Sequence, residues 1–330
     1  MLLRKVLTMA KILIAPSPLD GIEIEFVKVL RDAGHELVYP KKGEQLSESE
    51  LMRWLEGVTA VLAGSEPYNE KVIAAHPQLR VIARVGVGFD AVNLKAATAN
   101  NTVVTIAPGT NQGSVAEHAF CLMLALAKKL VVQHKAIEQG KFPRGTNFPL
   151  RGKTLGLAGL GRTGKAMATR ALAFDMKVVA YEPFPDHDFC KKHDIKLISW
   201  EDLLKQSDFL SLHLPYSKES HHIINKNTLG MMKPSAFLIN TSRGGVIKTD
   251  DLHEALKTKR IAGAGLDVFE EEPPGKLSIF EMENIVLTAH MAGVDVQSRD
   301  DMALSAAHAV VDILNGKWPA EKVVNPEVKK

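Results

Sequence analysis

Residues 154–182, TLGLAGLGRTGKAMATRALAFDMKVVAYE, decide how the chain is read. The hexapeptide GLGRTG at Gly159–Gly164 is weak on its own, because glycine-containing turns of that form arise by chance. Its surroundings give it meaning. Thr154 to Leu157 form a short apolar run of strand character, and the residues after the loop have the small-residue and apolar spacing of a helix packed on a sheet. At such a strand-to-helix turn Gly159 permits the tight bend, Gly161 lets the backbone approach a pyrophosphate, and Gly164 lets the helix pack closely. The helix start, with Arg162 and Thr163, then faces the anion. The next strand ends on Glu182, about 20 positions beyond the loop, where a carboxylate accepts hydrogen bonds from ribose hydroxyls. The following residues, PFPDHD, contain no Arg or Lys to receive a 2′-phosphate, so NAD is expected rather than NADP.

The rest of the chain repeats this alternation. Runs such as KILIA, AVLAG, RVIAR and TVVTI, and later DFLSLHLP, AFLINT, IAGAGLDV and NIVLTAH, are separated by helical patterns, which predicts parallel sheets built from βαβ units. A length of 330 residues suits two such domains. A hinge is expected near Thr105–Pro108, followed by a long helix with Ser114 at its N-cap and Glu117 completing a capping box. Its apolar body, AFCLMLALAKKL, implies burial between domains or against another subunit. The last helix, Val296 to Asn315, is closed by Gly316 and packs back on the first domain, which makes that domain discontinuous: 1–106 with 297–330, around 107–296. The terminal NPEVKK reads as a frayed tail.

Composition narrows the function. With 41 basic and 38 acidic residues well mixed, net charge is +3, which leaves no basic face for nucleic acid and no polybasic membrane anchor. Cys121 and Cys190 stand apart from any CxxC or His cluster, so a reducing compartment, no metal site and no thiol nucleophile are expected. The opening MLLRKVLTMAKILIA is broken by Arg4 and Lys5 and has no cleavage site. Residues 1–8 read as a short extension or a mis-assigned start before a strand opening at Met9, and a cytoplasmic location is expected.

A nicotinamide enzyme acting on a carbonyl needs a proton donor at the carbonyl oxygen and a cation to hold and polarise the substrate. Such groups belong at the carboxyl ends of parallel strands. Arg243 follows AFLINT, Glu272 follows GLDVFEE, and His290 ends NIVLTAH. An Arg grips a carboxylate in bidentate fashion, and a Glu beside a His makes an acid/base couple.

The ordered set RVGVGFD, SVAEH, GLGRTG, LHLPYSKES, NTSRGGVI, GLDVFEEEP and LTAHMAG resembles the D-isomer-specific 2-hydroxyacid dehydrogenase family over nearly the whole chain. The resemblance implies two Rossmann-like parallel-sheet domains, a nucleotide-binding domain inserted into a flavodoxin-like substrate-binding domain, and a homodimer held by the nucleotide domains. It also implies NAD-dependent interconversion of a D-2-hydroxyacid and its 2-keto acid. By position His290 is the acid/base, Glu272 its partner and Arg243 the substrate anchor. Asp267 binds the nicotinamide carboxamide, and the N–H groups of Val85, Gly86, Val87 and Gly88 hold the substrate carboxylate. His213 and Pro215 line the adenosine side, and Thr241 and Gly293 complete the cofactor contacts. The phosphoglycerate dehydrogenase branch is the best fit, since Arg84, Asn111 and Arg144 fall where that branch contacts substrate; this implies 3-phosphoglycerate/3-phosphohydroxypyruvate and serine biosynthesis, without serine feedback. Ala289, Asp295 and Phe142 depart from the family's usual residues and touch on the substrate pocket and subunit contact. Glyoxylate and hydroxypyruvate are the alternative substrates, and an NAD(H)-sensing protein of the corepressor type is the alternative of another class.

Overall fold

The computed structural model describes residues 9–40 and 45–329. The expected N-terminal extension, residues 1–8, lies outside the described residues. The chain divides into two compact units, one running to Asn111 and resuming at Val294, the other spanning Gln112–Gly293.

The first unit holds a five-stranded parallel sheet: β1 (Lys11–Ile14), β2 (Glu36–Val38), β3 (Ala60–Ala63), β4 (Val81–Arg84) and β5 (Val103–Thr105), in the order β2-β1-β3-β4-β5. This is the flavodoxin-like order. Every residue of β3, β4 and β5 is buried, because a parallel sheet carries helices on both faces. Ile12, Ile14, Leu62 and Ala83 enter one core, and Leu13, Val61 and Ile82 enter the other. The helix Val296–Leu314 is capped by Asp295, whose Oδ1 accepts from the Ser298 N–H at 2.6 Å. It lays Ala303, Ala306, Ala307 and Val310 on the first of these cores, the small side chains permitting close packing.

The second unit carries β6 (Thr154–Ala158), β7 (Lys177–Tyr181), β8 (Lys196–Leu197), β9 (Phe209–Leu212), β10 (Phe237–Asn240), β11 (Gly263–Leu266) and β12 (Ile285–Leu287). All are parallel, in the order β12-β11-β10-β9-β6-β7-β8. The strand order reverses between β6 and β9, which is where a Rossmann sheet binds its nucleotide. Phe209 and Ile239 point to one core with helices Gln112–Ala127 and Arg162–Ala173, whereas Leu210 and Leu238 point to the other.

Two expectations are corrected here. The long helix begins at Gln112, so Ser114 is not its N-cap; the Ser114 hydroxyl donates to the Ala292 carbonyl at 2.7 Å, and Glu117 pairs with Arg170 at 2.6 Å. The NPEVKK tail is not frayed over its described part. Val323 bridges Thr105 antiparallel, and buried Asn325 accepts from the Val104 N–H at 2.8 Å and donates to the Thr102 carbonyl at 2.9 Å. The edge of β5 is thereby satisfied by an amide that sequence alone places in a tail. Among the described residues no helix is long and apolar enough to cross a membrane.

Replacing Asn325 by Ala strands a buried N–H and a buried carbonyl, and is expected to cost the first unit about 2 kcal/mol in urea unfolding; a loss below about 0.5 kcal/mol, the level of an ordinary surface substitution, would show that the tail pairing is inconsequential.

Candidate active site

The glycine loop leaves the carboxyl end of β6. Gly159 has φ +98°, and a Cβ there would lie 2.6 Å from the carbonyl oxygen of His213, so a side chain is excluded on both counts. A Cβ on Gly164 would collide with the Gly159 carbonyl, which is what lets the helix Arg162–Ala173 start so near the strand. Gly161 is the N-cap of that helix, and a Cβ built on it would meet nothing within 4 Å, leaving the backbone open to approach beside exposed Arg162 and half-buried Thr163. Glu182 at the end of β7 accepts from the Leu160 N–H at 2.8 Å and the Phe184 N–H at 3.0 Å, which ties its carboxylate to the loop. After β10 the hydroxyl of Thr241 is buried without a hydrogen-bond partner. Open helix N–H groups, a fixed carboxylate and an orphaned hydroxyl fit the pyrophosphate, ribose and polar edges of a dinucleotide. Exposed Pro215 and half-buried Gly293 sit in the loops after β9 and β12.

The turns after β10, β11 and β12 bring forward Arg243, Glu272 and His290. Arg243 lies in a bend braced by Asn240, whose Nδ2 donates to the Arg243 carbonyl at 2.9 Å, and its own Nη1 donates to the Ser242 carbonyl at 2.7 Å. Glu272 Oε2 is 2.6 Å from His290 Nδ1, and Glu272 Oε1 accepts from the Phe269 N–H at 3.0 Å. Burial pushes the Glu272 carboxyl up, but the hydrogen bond and charge of His290, the Phe269 N–H and the charge of Arg243 outweigh it and hold the group below its ordinary range. With Nδ1 engaged, Nε2 is the ring nitrogen left for a substrate. His290 is half exposed and its backbone is left-handed, φ +53°.

Asp267, expected on the nicotinamide carboxamide, has a different neighbourhood. It is fully buried; Oδ1 accepts from the Thr288 hydroxyl at 2.6 Å and the Met291 N–H at 2.9 Å, and Oδ2 from the Ala292 N–H at 2.9 Å. In the first unit the Val85 N–H is taken by the Ala63 carbonyl at 2.8 Å, so of the expected carboxylate donors Gly86, Val87 and Gly88 form the turn beyond it. Arg84 is buried: its Nε donates to the Gly88 carbonyl at 2.8 Å and its Nη1 to the Ala63 carbonyl at 3.3 Å. It also faces the charge of Glu66, itself 1% exposed, whose carboxyl burial pushes up more than Arg84, the Gly64 N–H and Tyr68 pull it down. Asn111 is half-buried at the end of the first segment, and Arg144 is exposed in an irregular stretch of the second unit.

Residues 120–292 match the D-isomer specific 2-hydroxyacid dehydrogenase NAD binding domain. The chain belongs to that family. It is 37% identical over 273 residues to a glyoxylate reductase of Thermococcus litoralis, across 80% of this chain and 82% of that protein. It is 36% identical over 323 residues to a D-3-phosphoglycerate dehydrogenase of Synechocystis sp., across 96% of this chain but only 56% of that longer protein. Among solved structures it is similar to a D-lactate dehydrogenase of Aquifex aeolicus complexed with NAD and lactic acid, with TM-score 0.81, 28% identity and coverage of 96% and 99% of the two chains. The protein is an NAD-dependent D-2-hydroxyacid dehydrogenase.

Three residues that the structure shows beside expected site residues were not among those expected from the sequence. Glu66 in GSEPYN looks like an acidic turn, and nothing in the sequence signals its burial. Thr288 and His118 stand inside the motifs LTAHMAG and SVAEH, and His118 is four positions after Ser114, on the same helix face; no signal in the sequence joins the two motifs.

His213, beside the glycine loop, gives a pH test. Burial lowers its imidazole from 6.5 to about 4, and Nε2 lies 2.9 Å from the Ser211 hydroxyl. The unfolded chain takes up this proton first as pH falls, so stability is complete above 6.5 and declines as pH drops from 6.5 toward 4. Thermal unfolding of His213→Gln is expected to fall less steeply than wild type across that window; parallel curves would mean that His213 titrates normally in the fold.

Proposed function

We propose that this dehydrogenase reduces a small, singly charged 2-keto acid of the glyoxylate and hydroxypyruvate class to its 2-hydroxyacid. The observation that carries the substrate choice is the commitment of Arg84. A cation that receives a substrate phosphate has to present its guanidinium fork to solvent, whereas this one is buried and donates to the carbonyls of Gly88 and Ala63. The turn Gly86–Gly88, shaped by that arginine, offers backbone N–H groups to the one carboxylate every 2-keto acid carries.

NADH, when bound, supplies the hydride for substrate C2. The chain's own residues handle the charge and the proton. Arg243 holds the substrate carboxylate and stabilises the negative charge that develops on the carbonyl oxygen as the C=O electron pair moves onto it. His290 delivers a proton from Nε2 to that oxygen, and Glu272, 2.6 Å from Nδ1, keeps the ring aimed. In the reverse direction His290 takes the hydroxyl proton back.

A second reading, 3-phosphohydroxypyruvate reduction, is favoured by the 36% identity to a D-3-phosphoglycerate dehydrogenase along 96% of the chain and by exposed Arg144. NADH oxidation against glyoxylate, hydroxypyruvate, pyruvate, 2-ketoglutarate and 3-phosphohydroxypyruvate separates them. Glyoxylate or hydroxypyruvate is expected to exceed the phosphorylated compound by about tenfold or more in kcat/KM, about 1.4 kcal/mol of discrimination. The opposite preference would restore the phosphate reading and a place in serine biosynthesis, and no turnover with any would favour an NAD(H)-sensing role.

The second unit also supports a homodimer through the nucleotide-binding domain. A groove lined by Phe120, Leu124, Leu130 and Phe174 leaves apolar side chains exposed, Leu130 at 60% and Phe174 at 45%. Sedimentation equilibrium is expected to give twice the chain mass, and Leu130→Glu with Phe174→Glu to shift it to one; a wild-type monomer would remove this assignment.

A further inference from the structure

The Gln112–Ala127 helix sends two polar side chains, Ser114 and His118, from one face toward the turn that carries His290. We propose that His118, through Thr288 and Asp267, together with Ser114, positions His290 for proton transfer; this rests on the reading of His290 as the proton donor. The Thr288 hydroxyl has a single proton, and it goes to Asp267 Oδ1 at 2.6 Å. His118 Nε2, 2.8 Å from the same hydroxyl and 3.5 Å from Asp267 Oδ1, must therefore be the donor, which fixes the tautomer of His118. Asp267 then holds the turn at three points: its carbonyl accepts the His290 N–H at 2.8 Å, Oδ1 accepts the Met291 N–H at 2.9 Å and Oδ2 the Ala292 N–H at 2.9 Å. Ser114 closes the arrangement on the Ala292 carbonyl at 2.7 Å.

The network is needed because His290 occupies a left-handed backbone conformation, φ +53°, that a β-carbon disfavours. Such a residue keeps its place only where its surroundings over-determine it. None of His118, Thr288 and Ser114 needs to touch substrate for this. Their removal is expected to leave cofactor binding intact and to let the imidazole drift from the 2.6 Å contact with Glu272. A misplacement of about 1 Å is enough to cost about 100-fold in rate.

Thr288→Val keeps the shape and deletes both hydrogen bonds. It is expected to lower kcat about 10- to 100-fold, with the Kd for NADH, read by fluorescence, within about twofold of wild type, and Thr288→Ser is expected to recover most of the loss. His118→Leu should reproduce the defect and His118→Gln, which keeps an N–H donor, should largely escape it; this pair decides the matter if Thr288→Val does not fold. Thr288→Val combined with His118→Leu should be no worse than the poorer single variant, since both break one chain of contacts. A kcat within about twofold of wild type for folded Thr288→Val, or for His118→Leu, overturns the positioning role. His290→Ala, measured alongside, separates the two claims: if it turns over normally the proton-donor reading falls and this inference with it, whereas loss of turnover in His290→Ala with unaffected Thr288→Val and His118→Leu removes this inference alone.

Discussion

The carboxylate of Asp267 is fully buried, and a buried charge persists only where the chain supplies donors to answer it. Here the donors come from the segment after β12: the Thr288 hydroxyl and the N–H groups of Met291 and Ala292. That requirement sets the path of the chain. Between the first donor and the second lies His290, so satisfying Asp267 forces the histidine into its left-handed conformation and places its ring beside Glu272. The strained backbone of His290 and its contact with Glu272 are thus tied to a single buried carboxylate. Were Asp267 exposed, water would compete for the same donors and the turn would have several near-equal paths.

The parallel sheet makes this economical. The strands β10, β11 and β12 end side by side in register, Asn240 with Leu266 and Leu266 with Leu287, so the turns that follow them emerge as neighbours without any long loop. Arg243, Glu272 and His290 need only be the right residues at those ends. On the other side of the strand-order reversal β6 and β7 end on the glycine loop and Glu182, so the residues expected to contact the cofactor and those expected to move the proton share one edge of one sheet.

Much of this is legible in the sequence, and physical reasons separate what is from what is not. Strands buried on both faces must be apolar throughout, so KILIA, RVIAR and AFLINT stand out from amphipathic helices by pattern alone. Gly159 and Gly164 are dictated by backbone clashes a few ångströms away, local enough to leave a motif. Residues whose role depends on a distant partner leave none. Ser114 precedes Glu117 at capping-box spacing, yet its hydroxyl finds a carbonyl 178 positions away. Asn325 sits in a stretch that reads as a tail because its partner strand is 221 positions upstream. A charged side chain such as Arg84 is expected at the surface on composition, and only the three-dimensional arrangement reveals Glu66 opposite it.

That last pair bears on how substrate is told apart within one family. Arg84 falls where the phosphoglycerate dehydrogenase branch is expected to contact substrate, and in the fold its guanidinium donates to the Gly88 and Ala63 carbonyls. Turning the guanidinium toward an incoming phosphate would give up both of these hydrogen bonds. The same arginine braces the Gly86–Gly88 turn through the Gly88 carbonyl. The hydrogen bonds an arginine makes inside its unit thus limit what its guanidinium has left to offer, whatever its position in the sequence suggests.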